Sequence, residues 1–302
     1  MLQYECLIIG GGIAGLQAGI QLGRYQRNVL LVDAHSGRSS LCRKYRNLLG
    51  YPDGVSGKTL RENGQKQLEK VGVPIVSDYV TAIERQGDGT FVVSTATTQW
   101  QTQTLLLATG ITDRLPAIPS LKECLGESIY ICPDCDGYEA LDRNVIVIGA
   151  GEAGCQMALA LLSWARRVTY IHHEDPLLSA NQKHALQQQG ISYVQKKVKA
   201  IITSRFSIFA GVQLEDDSLL MGDCAFVAFG GNIVHTELLR SLGVHMHKGH
   251  IVTDARTKET SIHNIWAAGD VTAHSEQVAI AMGDGVQAAI WIQKKLKGMK
   301  KS

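Results

Sequence analysis

Cys132-Pro133-Asp134-Cys135 sets two thiols at the spacing of a dithiol that opens and closes as a disulfide. Pro133 suits the first residue of a helix, so Cys132 is expected at a helix start, where the thiolate is stabilised and its pKa falls. Asp136 follows directly, placed to move a proton to or from a leaving thiolate. Two glycine turns flank the pair: Gly10-Gly11-Gly12-Ile13-Ala14-Gly15 near the start, and Gly149-Ala150-Gly151-Glu152-Ala153-Gly154 just beyond the cysteines. In the first, Gly10 permits the tight turn, Gly12 lets the backbone approach a pyrophosphate, and Gly15 lets the helix pack on the strand. The helix N-terminus offers free N–H groups and positive potential to phosphates. Asp33, 18 residues past Gly15, is expected at a strand end facing a ribose hydroxyl. A dithiol between two nucleotide turns points to an electron path from a bound cofactor through a disulfide. Zinc is not expected: a Cys₄ site needs a second Cys-x-x-Cys, which the chain lacks, and the adjacent His172 and His173 suit shared ligation poorly.

The elements that must hold these groups are two βαβ units. Residues 5–9 form an apolar run into Gly10, residues 16–24 have helical spacing, and residues 28–33 read as a buried parallel strand ending in Asp33. Residues 144–148, the second turn, a helix over 157–162 and a strand over 167–172 repeat the pattern. Between the units, residues 73–76, 79–83, 90–95 and 104–108 read as short strands of a β-meander broken at Gly87-Asp88-Gly89. Leu115-Pro116-Ala117-Ile118-Pro119 reads as a linker, and residues 128–132 as a strand leading into the dithiol. Short strands are expected at 191–194, 206–209 and 224–229, and the chain leaves the second unit near Gly230-Gly231. A strand over 262–270 runs into Gly269-Asp270, and an amphipathic helix covers 278–296. The fold class is therefore α/β: two Rossmann-like dinucleotide-binding domains of three ββα layers, the second inserted in the first. The expected boundaries are 1–117 with 234–302 for the first domain and 118–233 for the second.

Bulk properties agree. A length of 302 residues with 45% apolar content favours two well-packed domains. A net charge of +2 gives no electrostatic case for nucleic acid. The lysines at 294, 295, 297, 300 and 301 read as a solvated helix end and tail. No stretch reaches the roughly 18 apolar residues of a membrane span, so no membrane role is expected. The N-terminus enters strand and fingerprint without a basic start or cleavage site, so no signal peptide is expected. Seven cysteines, five of them scattered (Cys6, Cys42, Cys124, Cys155, Cys224), do not form a secreted framework and fit a reducing, cytoplasmic setting.

Taken with Ala108-Thr109-Gly110 and Ala267-Ala268-Gly269-Asp270, the two glycine turns and Cys132–Gly137 match in order and spacing the low-molecular-weight thioredoxin reductase family, which the chain resembles over nearly its whole length. That resemblance implies FAD in the first domain, the redox dithiol on the second, and a homodimer. It implies a thioredoxin-like protein, or a small-molecule disulfide or dithiol, as the reaction partner. Gly269 and Asp270 would face the FAD pyrophosphate and ribityl region, with Gln277 and Val278 at the flavin edge. Thr109 and Gly110 join the cofactor set, as does Asn47 in a loop near the isoalloxazine. Cys135 would be the flavin-proximal thiol, Cys132 the exchanging one and Asp136 the acid/base.

One departure concerns the second nucleotide. NADPH-using relatives carry His-Arg-Arg-Asp after the second strand, with a further arginine three residues on. This chain has His172-His173-Glu174-Asp175-Pro176-Leu177-Leu178, without any of the arginines. A 2′-phosphate carries about −1.5 to −2 charges. Losing two charge-assisted bonds of about 1.5–3 kcal/mol each removes much of the NADPH affinity. Glu174 instead lies 20 residues past Gly154, where an acid binds an unphosphorylated ribose. Three readings stand: NADH, a second FAD as in the diflavin-linked disulfide oxidoreductase branch that the chain also resembles, or an unused site with ferredoxin as donor. At the flavin edge, Glu276-Gln277-Val278 replaces the Arg-Gln-Ala of NADPH-using relatives. The expected activity is flavin-dependent thiol–disulfide exchange. The alternatives are a dithiol oxidase passing electrons to oxygen and a non-catalytic, nucleotide-binding redox sensor.

Overall fold

A computed structural model describes residues 1–175 and 178–299; Pro176 and Leu177 of the strand-end stretch and the Lys300-Lys301 tail lie outside the described residues. The chain divides into two compact units: Met1–Leu41 with Val55–Thr112 and Ile233–Ser302, and Cys42–Gly54 with Asp113–Asn232.

In the first unit, Leu2–Ile9 pairs in parallel with Val29–Asp33 on one side and Gln99–Leu107 on the other, and Ile75–Ser77 extends the sheet beyond Val29–Asp33. The nine-residue strand Gln99–Leu107 serves two neighbourhoods. Its first half alternates in burial and pairs antiparallel with Phe91–Ser94, which in turn pairs with Ala82–Arg85. Its second half, Thr104 to Leu107, is continuously apolar after the threonine and buried on both faces, and it pairs in parallel with Ile265–Ala267. Alternation where one face is covered and an unbroken apolar run where both are is what each environment demands. The helices Ile13–Arg24 and Val278–Met299 cover one face. They approach closely because a Cβ on Gly285 would lie 2.3 Å from the carbonyl oxygen of Ala14.

The second unit repeats the frame. Ser192–Gln195, Arg167–His172, Asn144–Gly149, Cys224–Ala228 and Ile129–Tyr130 lie side by side in one parallel sheet. Helices Gly151–Ala160 and Ala180–Gln188 belong to this unit, as does an antiparallel meander of Val198–Thr203, Phe209–Leu214 and Leu219–Met221. This is the mixed α/β architecture with two Rossmann-like frames anticipated above. Among the described residues no helix is long and apolar enough to cross a membrane.

Four local expectations are corrected. Residues 79–81 are not strand: the Asp78 carboxylate accepts the Tyr79 N–H at 2.7 Å, and pairing begins only at Ala82. Ile75–Ser77 joins the parallel sheet rather than the meander, because helix Gly57–Lys70 carries the chain across as a βαβ crossover. The strand expected over 206–209 is a 3₁₀ turn at Arg205–Ser207 with pairing from Phe209, Ser207 having φ of +61°. The strand before the dithiol is only Ile129–Tyr130, which pairs in parallel with Ala225 and Phe226 and stops there, ahead of the helical turn that Pro133 opens. The division into units also differs from 1–117 and 118–233: residues 42–54, Asn47 among them, group with the second unit, and the crossings fall at 112/113 and 232/233.

Candidate functional site

The first glycine turn follows the strand Leu2–Ile9. Gly10 has φ of +106°, and a Cβ there would sit 2.3 Å from the Ala108 carbonyl oxygen. A Cβ on Gly15 would be 1.9 Å from the Gly10 carbonyl oxygen, so the helix can start this close to the strand only with glycine. Gly12 is the opposite case: a Cβ there meets nothing within 4 Å. The helix Ile13–Arg24 has no side-chain cap and no acidic residue in its first turn. An open approach to uncapped N–H groups suits a diphosphate, and the turn therefore fits the FAD implied by the resemblance.

Asp33 ends the second strand, 7% exposed, and its carboxylate is already engaged. Oδ1 accepts the Gly11 N–H at 2.9 Å, while Oδ2 accepts Arg61 Nη2 at 2.7 Å and lies 3.1 Å from His35 Nδ1. Two oxygens offer about four acceptor directions, so the carboxylate keeps acceptor capacity beyond these three groups. Arg61, on helix Gly57–Lys70, is as buried as the aspartate. Breaking a buried pair from one side leaves an uncompensated charge, which costs about 3–5 kcal/mol. Arg61→Ala should fall near the lower end, because Gly11 and His35 remain, and should lower the denaturant midpoint at unchanged m-value. A midpoint within error of the parent protein would show that the pair contributes nothing net.

Gly269, with φ of +76°, closes a turn over Ala14, whose Cβ would lie 3.0 Å from one added at Gly269. Ala14 is thus a buried spacer beneath that turn. The Gly269 N–H donates to Asp284 Oδ2 at 3.1 Å, and Asp284, 4% exposed, is paired with Lys258 Nζ at 2.8 Å and with His274 Nε2. The Asp284 hydrogen bond raises the His274 pKa; Asp284 itself is held low by its bonds to His274, Lys258 and Gly269, against the upward push of burial. Asp270 accepts from Arg38 Nη1 at 3.1 Å, and the same nitrogen donates to Glu276 at 2.6 Å. The Glu276 carboxylate is therefore matched by a cation from another element. Gln277 is half-buried and Val278 buried at the start of the long helix; Thr109 Oγ1 donates to the His235 carbonyl at 2.6 Å, and Gly110 has φ of +65°.

In the second unit, Cys132 and Cys135 are partly buried thiols, not joined in a disulfide. Cys132 is the N-cap of the single helical turn Pro133–Asp136. One turn carries little macrodipole, so local bonds do the work expected of a helix start. The Cys132 sulfur receives hydrogen bonds from the Cys135 side chain and backbone N–H, which hold its pKa below the ordinary thiol value against the effect of burial. Asp136 is pushed up to about 6, by burial first and by Glu139, with Arg46 pulling it down. Arg46 lies in the 42–54 segment, beside the exposed Asn47.

The second glycine turn has the same division of labour as the first. A Cβ on Gly149 would be 2.4 Å from the Ala228 carbonyl oxygen, one on Gly154 would be 2.4 Å from the Tyr170 hydroxyl, and one on Gly151 meets nothing within 4 Å. The Gly151 N–H donates to His172 Nε2 at 3.1 Å, so one donor of this helix start is already used. Glu152 turns its carboxylate toward Gln156 and Gln182, and Ala153 lies beneath Gly230, 3.3 Å from a Cβ added there. His173 Nδ1 accepts the Val198 N–H at 2.8 Å, and burial lowers its pKa, so it is neutral. Glu174 is ion-paired with Arg114, whose guanidinium lies 5.8 Å from the Phe229 ring centroid. Among the described residues no group of three or more His, Cys, Asp or Glu is arranged to hold a metal ion.

Sequence reasoning missed Arg38, Arg46, Arg61, Arg114, Lys258, His274 and Asp284. Each acts on a residue brought near by folding, and none belongs to a spaced motif. The one available signal was Arg46, adjacent to Asn47 in a loop already singled out.

Comparison with known proteins gives a consistent result. Residues 4–285 match the pyridine nucleotide-disulphide oxidoreductase family. The thioredoxin reductase of Treponema pallidum (strain Nichols) is 33% identical over 296 residues, covering 95% of this chain and 95% of that protein. The crystal structure of thioredoxin reductase from Streptococcus pyogenes MGAS5005 superposes with a TM-score of 0.87 at 25% identity, covering 98% of this chain and 99% of that one. The crystal structure of HlmI superposes with a TM-score of 0.88 at 28% identity, covering 99% and 94%.

Proposed function

This chain belongs to the pyridine nucleotide-disulphide oxidoreductase family, and on that premise we propose that its Cys132–Cys135 dithiol carries electron pairs between a flavin held by the first unit and the disulfide of a partner. The protein is a thioredoxin reductase-like, flavin-dependent disulfide oxidoreductase. The observation that carries the finer reading is the sulfur pair: the Cys132 thiolate is favoured by two hydrogen bonds from Cys135, beside a carboxyl group that titrates near 6.

The exchange proceeds in two displacements. The Cys132 thiolate attacks one sulfur of the partner disulfide, a mixed disulfide forms, and the first partner thiolate leaves. Cys135, losing its proton, then attacks Cys132 Sγ, and the second partner thiolate leaves. The partner disulfide gains two electrons and two protons; the enzyme dithiol loses both and ends as a disulfide. Asp136 takes up and delivers a proton in these steps, since a pKa of about 6 leaves both forms populated near neutrality. FAD, when bound, supplies the two-electron store with which the dithiol exchanges. The Gly10–Gly15 turn with Thr109 and Gly110, Asp33, the Gly269-Asp270 turn, Gln277 and Val278 would hold it.

A thioredoxin-like protein is the proposed partner, in line with the relatives' names. For the second turn, the proposed ligand is a dinucleotide without a 2′-phosphate, NADH or a second FAD. Burial keeps His173 neutral and the Arg114 guanidinium is paired with Glu174, so neither side chain offers a cation to a 2′-phosphate.

The purified protein should be yellow, should release at least one FAD per chain on acid denaturation, and should lose flavin absorbance when a dithiol is added anaerobically. A colourless protein, or a flavin that a dithiol leaves unbleached, overturns the reading. Two FAD per chain would assign the second turn as well.

A further inference from the structure

Asp136 stands in a field of charges contributed by several segments of the second unit. Arg46 Nη1 lies 3.9 Å from Asp136 Oδ1, Nε lies 3.4 Å from Glu139 Oε1, and Nη2 lies 3.8 Å from Glu127 Oε1. Its guanidinium also sits 5.8 Å from the ring centroid of Tyr130. Cys42 at the start of the same loop, Tyr130 on the strand, and Cys132 on the Asp136 turn share this field with the aspartate; Asp134 acts on Cys132 from the same turn. One cation therefore faces three carboxylates at a site where all but Glu127 are mostly buried. Arg46 Nη1 is buried and has no hydrogen-bond partner among the described residues. The nitrogen with an unused donor is the one aimed at Asp136.

We propose that Arg46 is the positioning residue of the acid/base: it governs how readily Asp136 gives up and regains its proton during exchange at Cys132–Cys135. The proposal rests on the thiol–disulfide reading above and adds a residue to it. Burial and Glu139 drive the carboxyl group toward its neutral form, and Arg46 opposes them. Because Glu127 and Glu139 share the same guanidinium, Arg46 is only partly available to Asp136. A fully committed arginine would leave the carboxylate ionised at every working pH and useless as an acid. A missing one would leave it protonated and useless as a base. A guanidinium does not lose its charge at any accessible pH, so the bias is constant while Asp136 titrates.

The test is a direct titration of Asp136 in the full chain by ¹³C NMR with labelled aspartate, the Asp136→Asn protein supplying the assignment. Arg46→Met should move the midpoint up by about one pH unit or more, a tenfold change in ionisation, about 1.4 kcal/mol. Arg46→Lys should restore most of the shift, because a charge returns without the fork geometry. Arg46→Gln, which keeps a donor without charge, should behave as Arg46→Met and serves if the methionine variant does not fold. A midpoint that stays put in a folded uncharged variant overturns the proposal. The pH profile for exchange with a small disulfide should move in the same direction as the titration. A midpoint that shifts while the profile does not would leave Arg46 as the modulator of Asp136 and remove Asp136 from the reaction, so the two claims fail separately.

Discussion

Replacing either Cys132 or Cys135 with serine should lower turnover of a disulfide substrate by at least about three orders of magnitude. A serine hydroxyl does not ionise near neutrality and forms no disulfide, so neither displacement survives its loss. The two variants should fail differently. Cys135→Ser retains the attacking sulfur but not its resolver. The substituted hydroxyl and the unchanged backbone N–H at position 135 still donate to the Cys132 sulfur, so its thiolate stays favoured. This variant should therefore stall as a mixed disulfide, visible as a mass increase equal to the substrate half and discharged by added dithiol. Cys132→Ser should trap little, because the thiol that the hydrogen bonds activate is gone. Intact mass spectrometry after mixing with an aromatic disulfide reads both outcomes. Turnover above a tenth of the parent rate in either variant would show that exchange does not run through this pair.

The second large effect concerns nucleotide choice. His173→Arg with Glu174→Arg should tighten NADPH binding by roughly a hundred- to ten-thousandfold while changing NADH affinity little. The figure follows from two charge-assisted bonds to a 2′-phosphate at about 1.5–3 kcal/mol each. The site is partly exposed, with the Glu174 side chain at 31% and Arg114 at 47%, so the lower end is the better expectation. Glu174→Arg acts twice: it removes a repelling carboxylate and releases Arg114 from the ion pair that now occupies it. Fluorescence titration with both nucleotides gives the ratio directly. A parent protein that binds NADPH as tightly as NADH, or a double variant with an unchanged ratio, would remove the case for Glu174 as a reader of the unphosphorylated ribose.

What the sequence made legible was whatever is local and periodic. The glycine turns could be read because each role depends on atoms within a few residues or on the neighbouring strand. The crowding at Gly10, Gly15, Gly149 and Gly154 and the open space at Gly12 and Gly151 follow that spacing. The buried parallel strands could be read because covering both faces leaves unbroken apolar runs such as Val29–Asp33. Strand ends were less legible: Asp78 bonding its own neighbour and the positive φ at Ser207 interrupt pairing without disturbing hydrophobic pattern. Least legible were the long-range charges. Arg38 meets Asp270 and Glu276 across more than 230 positions, and Lys258 meets Asp284 from a different element. A lone arginine in a loop carries no spacing signal, so its partner is known only once the chain has folded.

The second unit is discontinuous, and this has a practical result for anyone who would dissect the protein. Its two pieces, Cys42–Gly54 and Asp113–Asn232, are joined only through the other unit's chain. An excised fragment beginning at Asp113 would keep both sulfurs and Asp136 yet forfeit the guanidinium encoded 90 positions upstream. Such a miniature would have its carboxyl group biased toward the neutral form and its thiol chemistry displaced on the pH scale. Transplanting this redox turn onto another scaffold therefore requires carrying the short upstream segment along, or supplying a cation in its stead.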